Sequence, residues 1–196
     1  MVRNLGSTMR DALIAAADVA NGAMVALVPS DADAKRLAVE GGESLDQLHL
    51  TLLYLGDADQ IGDDIRAALI DAGRDMAVGW NGVAAEAFAP ALFNPTGDEP
   101  CAVMLCSGDE LAEFYETALA DVSEFLDPPD DMHRPFCAHI TVLYTDTVTM
   151  STNGESLIEQ MISSTGPLTF DRLRFAFGGE VTDIPLTSPT PPDVAA

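Results

Sequence analysis

Basic side chains are scarce in this sequence. Its 196 residues hold nine lysines and arginines, and the single lysine is Lys35. Against them stand 32 aspartates and glutamates, for a formal charge of −23. A protein that follows long DNA or RNA needs a row of cations to displace counterions from the backbone. No such row exists, so that class of partner is disfavoured, and long polyanions meet a repulsive, salt-screened surface. The same acidity also serves solubility, or reflects a salt-rich or high-GC source. Cysteine is scarce too. Cys101, Cys106 and Cys137 form no close pair, which excludes a disulfide scaffold or a zinc knuckle. Their apolar neighbours read as those of buried structural thiols, and this usage points to the cytoplasm. No run of about 18 apolar residues is present to span a membrane. The first residues do not read as a signal peptide, because Asp11 and Asp18 interrupt the apolar stretch.

What the sequence does have is core. Hydrophobic residues make up 47% of it, enough for one large domain or two lobes around a shared interior. Leu5, Met9, Leu13, Ala16 and Ala20 recur at helical spacing, so residues 1–20 read as an amphipathic helical extension. A buried strand follows over 22–30. A helix capped by Ser30 or Asp31 runs to about Val39. Further strands are read at 48–56, 100–107 and 136–145, with a strand or bent pair over 79–93 interrupted by Pro90. Helices are read at 61–77, 108–126 and 155–163. The clearest of these carries Leu111, Phe114, Tyr115, Ala118, Leu119, Val122 and Leu126 on one face. A hairpin over 168–186 turns at Gly178-Gly179. The Pro-rich segment 187–196 reads as a flexible tail.

Within this order one strand is written twice. "HLTLLYLG" begins at His49 and "HITVLYTD" at His139, ninety residues later. Only three histidines exist in the chain, and two of them open these copies; the third, His133, reads as a loop residue. Strand periodicity puts His49 with Thr51, and His139 with Thr141, on one face. By strict alternation Leu50, Leu52 and Tyr54 turn the other way, as do Ile140, Val142 and Tyr144. Leu53 and Leu143 then fall on the histidine face. A duplicated strand implies two lobes of similar plan in an α+β fold, with each lobe offering one imidazole and one hydroxyl to a central cleft. Such a set suits phosphodiester chemistry. A neutral imidazole takes a proton from water or a 2′-hydroxyl, and an imidazolium returns one to the leaving oxygen. The threonine hydroxyls donate to the non-bridging oxygens. No metal is needed.

The motif pair resembles that of the 2H phosphoesterases, whose mark is two His-x-Thr/Ser strands flanked by apolar residues. "RPFCAHITV" also resembles that family's Arg-Pro-aromatic lead-in to the second motif. The resemblance spans roughly residues 21–186 and implies a two-lobed, pseudo-symmetric fold with a histidine strand in each lobe. It implies His49 and His139 as acid and base, Thr51 and Thr141 as phosphate ligands, and no cofactor or metal. The family includes 2′-5′ RNA ligase-like proteins, 2′,3′-cyclic nucleotide phosphodiesterases and phage enzymes that destroy cyclic oligonucleotide signals. The expected activity is therefore metal-independent cleavage of a small nucleotide phosphodiester, in the cytoplasm or, for a phage protein, in that of its host. The acidic surface and residues 1–20 depart from the family pattern. An alternative of another class is a non-catalytic nucleotide-binding, virion or scaffold protein, with residues 1–20 docking a protein partner.

Further candidates for substrate contact are Tyr54, Tyr144 and the scarce cations Arg134, Arg172 and Arg174, since arginine binds phosphate bidentately. Against this, each arginine is also a natural ion-pair partner for the abundant carboxylates. Trp80 and Phe93 could stack a base, though isolated aromatics more often belong to a core. Asp63-Asp64 and Asp130-Asp131 lack accompanying ligands and read as a helix cap and a loop.

Overall fold

The computed structural model describes residues 21–95, 100–127, 135–144 and 147–186, with only the backbone described over 147–153. The segments 1–20 and 187–196, His133, Arg134 and the Asp130-Asp131 pair lie outside the described residues. Among the described residues, seven strands and four α-helices follow one another in the order read from the sequence. They are β1 (Gly22–Pro29), α1 (Asp31–Leu37), β2 (Leu50–Asp57), α2 (Asp63–Ala77), β3 (Val83–Phe93), β4 (Cys101–Ser107), α3 (Asp109–Ser123), β5 (His139–Tyr144), α4 (Thr147–Ser163), β6 (Gly166–Phe177) and β7 (Glu180–Pro185). The architecture is α+β.

Every strand pair is antiparallel, and the sheet runs β1-β2-β5-β4-β3-β6-β7. β6 also pairs with β1, which returns the sheet onto itself. Its length makes this possible. The first residues of β6, Gly166–Phe170, pair with β3, whereas Arg172–Phe177 pair with β7 on one edge and β1 on the other. One lobe is therefore β2, β1, β7 and the end of β6. The other is β5, β4, β3 and the start of β6. The lobes meet a second time where β2 and β5 pair through Leu50 and Ile140. These are equivalent residues of the two copies, so the pseudo-twofold axis passes between them.

Helix ends follow local chemistry. Ser30 caps α1 by accepting from the Asp33 amide, and its hydroxyl donates to the Asp33 carboxylate. Asp63 and Asp64 fill the first turn of α2, where negative charge meets the positive end of the helix dipole. α3 buries Leu111, Phe114, Tyr115, Ala118 and Val122 against the sheet, as its spacing predicts. Trp80 packs edge-on against Phe114 with ring centroids 4.9 Å apart, which makes it part of the core flank.

Three readings are settled or corrected. Of the strand and the bent pair read over 79–93, the structure holds the single strand Val83–Phe93, and Pro90 does not interrupt it. Pro90 sits in it opposite Met104, beyond the stretch where β3 also pairs with β6, so its missing N–H interrupts no second ladder. α4 starts at Thr147, eight residues before Glu155; "TVTMSTNG" is rich in β-branched residues and glycine, and its propensity hides the helix. Cys101 and Cys106 are buried, but Cys137 is exposed.

Candidate active site

Both histidines sit at the junction of the lobes. Leu50 and Ile140 are Cα partners in an antiparallel pair. Counting one residue outward places His49 across from Thr141 and Thr51 across from His139. In such pairs directly opposed Cβ atoms lie about 4.5–5.5 Å apart. The two His-x-Thr sets are thus interleaved on one face, one pair to each side of the pseudo-twofold axis. All four side chains are partly exposed, while Leu50 and Ile140 behind them are fully buried.

A paired irregularity shapes each strand just past its threonine. Ala26 is opposite Thr51 and Val25 opposite Leu53, so Leu52 is an extra residue in β2. In β5, Val103 is opposite Thr141 and Ala102 opposite Leu143, so Val142 is extra. Each is a β-bulge, and the two are again ninety residues apart. A bulge shifts alternation by one. Leu52 and Leu53 consequently both go to the core, as do Val142 and the partly buried Leu143. Tyr54 and Tyr144 move to the histidine face, 43% and 50% exposed. Strict alternation had placed the leucines on that face and the tyrosines away from it; the bulges reverse both.

The imidazoles are held alike. His49 Nδ1 lies 2.6 Å from the Gln47 carbonyl oxygen, and His139 Nδ1 lies 2.7 Å from that of Cys137. A carbonyl only accepts, so Nδ1 carries the proton and donates it. In the neutral ring Nε2 is then a free base. Each histidine is locked into the same tautomer by the residue two places before it.

Their surroundings nevertheless differ. The His139 ring packs against Phe93, with centroids 4.8 Å apart and planes tilted by 53°. Phe93 is thus a support for an imidazole. His49 has no aromatic neighbour among the described ring contacts. Burial lowers its pKa below the usual 6.5, with the charges of Arg174 and His139 acting the same way and the Gln47 carbonyl opposing them. The antiparallel Leu50–Ile140 pair sets the two histidines diagonally across the junction. Thr51 Oγ1 has a thioether neighbour, Met24 Sδ at 3.8 Å. A thioether is a weak acceptor, so this hydroxyl is easily redirected to a better one.

The described arginines are occupied. Arg174 is 8% exposed and grips both oxygens of Asp183, Nε at 2.7 Å and Nη2 at 2.8 Å. Its Nη1 donates to the Asp46 carbonyl at 2.7 Å. Arg172 donates from Nε to Asp171, and from Nη2 to Asp31 and the Pro29 carbonyl. Among the described residues all five arginines have a carboxylate partner. Among those residues, too, no three His, Cys, Asp or Glu side chains converge to hold a metal ion, and no helix is long and apolar enough to cross a membrane. The residues missed by sequence reasoning are Gln47 and Cys137, whose carbonyls set the tautomers. Their signal was present, since the ninety-residue offset extends to them, but a backbone acceptor leaves no mark in side-chain identity.

The sequence matches no protein-family model and no curated protein. Solved structures do match. TT0787 of Thermus thermophilus superposes with a TM-score of 0.58 at 16% identity, over 85% of this chain and 98% of that one. Usb1 of Kluyveromyces marxianus with uridine monophosphate gives 0.52 at 11% identity, over 85% of this chain and 99% of that one. With the duplicated strands, the lobes joined at Leu50 and Ile140 and these superpositions together, the chain has the fold of the 2H phosphoesterases.

Proposed function

We propose that this protein is a metal-independent phosphodiesterase that cleaves a small nucleotide phosphodiester by two-histidine acid–base catalysis. The observation that carries the reading is the pair of tautomer-locked imidazoles set diagonally across the Leu50–Ile140 junction. His49, held toward its neutral form, takes the proton of water or of a ribose 2′-hydroxyl at Nε2 as that oxygen attacks phosphorus. His139, protonated, gives its Nε2 proton to the departing oxygen as the P–O bond breaks. One bond forms and one breaks at phosphorus. The two histidines exchange charge states and are reset through solvent. Thr51 and Thr141 donate to the non-bridging oxygens, where negative charge must be held in the transition state.

The preference for a small substrate follows from charge. A long RNA would meet repulsion over most of the surface, whose formal charge is −23. The described arginines are paired with carboxylates and offer no track for a backbone. A 2′,3′-cyclic phosphate, a cyclic oligonucleotide signal or a short oligonucleotide needs only the local imidazoles and hydroxyls. The mononucleotide in the similarly folded Usb1 structure supports a site of that size. Tyr54 and Tyr144, which share the site's face, are proposed to flank such a substrate, and Arg134 remains a candidate phosphate contact.

The test is a panel of 2′,3′-cyclic mononucleotides, cyclic di- and trinucleotides and short RNAs, with products read by mass. It is repeated with excess long RNA at low and moderate salt. Cleavage of a small diester, indifferent to RNA at both salts, is the expected outcome. Inhibition by RNA that fades as salt rises would overturn the small-substrate reading. No cleavage of any panel member, with tight nucleotide binding retained, would favour a binding protein.

A further inference from the structure

The two lobes share a plan, yet the surroundings of their histidines differ in one row of the sheet. In the first lobe the row beside Thr51 runs Thr51, Ala26, Arg174 and Asp183 across β2, β1, β6 and β7. In the second lobe the matching row runs Thr141, Val103 and Ala91 across β5, β4 and β3. Cross-strand partners point to the same face, so Arg174 rises on the face that carries Thr51 and His49. Its counterpart in the second lobe is an alanine. The residue between Arg174 and Thr51 is also an alanine, fully buried. A side chain no larger than this leaves room for an arginine to lie across β1. The Arg174 guanidinium crosses it and reaches Asp46, 128 residues away in sequence.

Asp46 is next to Gln47, whose carbonyl accepts from His49 Nδ1. The geometry points to Arg174 as a positioning residue for His49: clamped by both oxygens of Asp183, it fixes the Asp46 carbonyl, and with it the turn whose Gln47 carbonyl sets the His49 tautomer. Bidentate pairing is what makes arginine suitable, because the planar fork leaves the head group one orientation. The third donor then points where the turn must be. Asp183 is held below the ordinary carboxylate range, first by its hydrogen bonds from Arg174 and then by that group's charge, so it stays ionised and the clamp stays closed at neutral pH. The other charges around this corner are Arg172, tied to Asp31 and Asp171, and His139 across the junction. Burial first, and then the Arg174 charge, keep His49 toward the neutral form. The second lobe solves the same problem differently, with the Phe93 ring against His139. Two strands of nearly identical sequence are thereby given unlike environments, as an acid and a base require.

This inference rests on the phosphodiesterase reading for its effect on rate, but not for its effect on the ring. The experiment is therefore ring-nitrogen NMR of the full chain above the histidine pKa range, alongside kcat and KM on the best panel substrate. In the wild type both His49 and His139 should give the pattern of a single Nδ1–H tautomer. Arg174→Met should shift His49 toward a tautomer mixture, leave His139 unchanged and lower kcat about 10- to 100-fold with KM little altered. Arg174→Lys, which keeps the charge but gathers its donors on one nitrogen, should recover part of the loss. Should Arg174→Met fail to fold, Asp183→Asn opens the same clamp at a partly exposed position and should loosen the His49 signals in the same sense. A wild-type His49 that is not Nδ1–H overturns the inference. So does a folded variant whose His49 pattern and kcat match the wild type while the enzyme is active. A wild type inactive on every substrate, with His49 still loosened by Arg174→Met, overturns the phosphodiesterase reading and leaves the clamp standing.

Discussion

Phe93→Ala isolates what holds the second histidine. The ring of Phe93 lies 4.8 Å from that of His139 and is only partly buried. Its removal should therefore cost less stability than the roughly 3–5 kcal/mol of a fully buried phenylalanine. Its value to the site is that of one aromatic contact, about 0.5–1.5 kcal/mol beyond burial. If that contact keeps the imidazole aimed, the energy appears in the barrier. At about 1.4 kcal/mol per factor of ten, kcat should fall roughly 2- to 12-fold. KM should hardly move, because the hydroxyls of Thr51 and Thr141 are untouched. Phe93→Leu keeps apolar cover and should fall between. The assay is steady-state turnover of the best panel substrate, with urea denaturation to show that both variants are folded. The reasoning is refuted if folded Phe93→Ala keeps the wild-type kcat. It is refuted equally if KM rises while kcat holds, since Phe93 would then be touching substrate and not His139.

Other outcomes follow from the same structure. Gly73→Ala should destabilise the fold despite better helix propensity: an added Cβ would sit 2.3 Å from Cε2 of the buried Phe175, and overpacking of about 1–3 kcal/mol exceeds a gain of about 1 kcal/mol. Thermal denaturation should show a lower Tm. The acid limb of the kcat/KM profile should lie below pH 6.5, because burial and neighbouring charge lower the His49 pKa. The same shift makes His49 favour folding above that pH and lose the contribution as pH falls, since the unfolded state then binds more protons; NMR titration and denaturation against pH check both signs. Activity should survive a strong chelator, and loss restored by one divalent ion would contradict the acid–base scheme.

The paired motif was legible because it is local. His49, Thr51, His139 and Thr141 are close in sequence, repeat at one offset and use a residue scarce in this chain. Element order was equally readable from period and from turn residues such as Gly178. The bulges were not. Leu52 and Val142 are apolar residues in apolar runs, and nothing in their identity announces an unpaired position. It took the register with β1 and β4 to show that Tyr54 and Tyr144 change face. Arg174 was hidden for a related reason. Its partners are Asp183 on the next strand and Asp46 far away in sequence, so composition shows a cation but not its commitment. Phe93 likewise meets His139 only through the sheet order β3-β4-β5.

The measurement that bears most directly on the central claim is turnover by His49→Ala, His139→Ala and the double variant, each shown to be folded, on the diester the wild type cleaves fastest. Each single variant should lose about 10²–10⁴ in kcat, and the double should be little worse than either, because an acid and a base that act in one step fail together. Near wild-type turnover by either folded single variant would contradict the account.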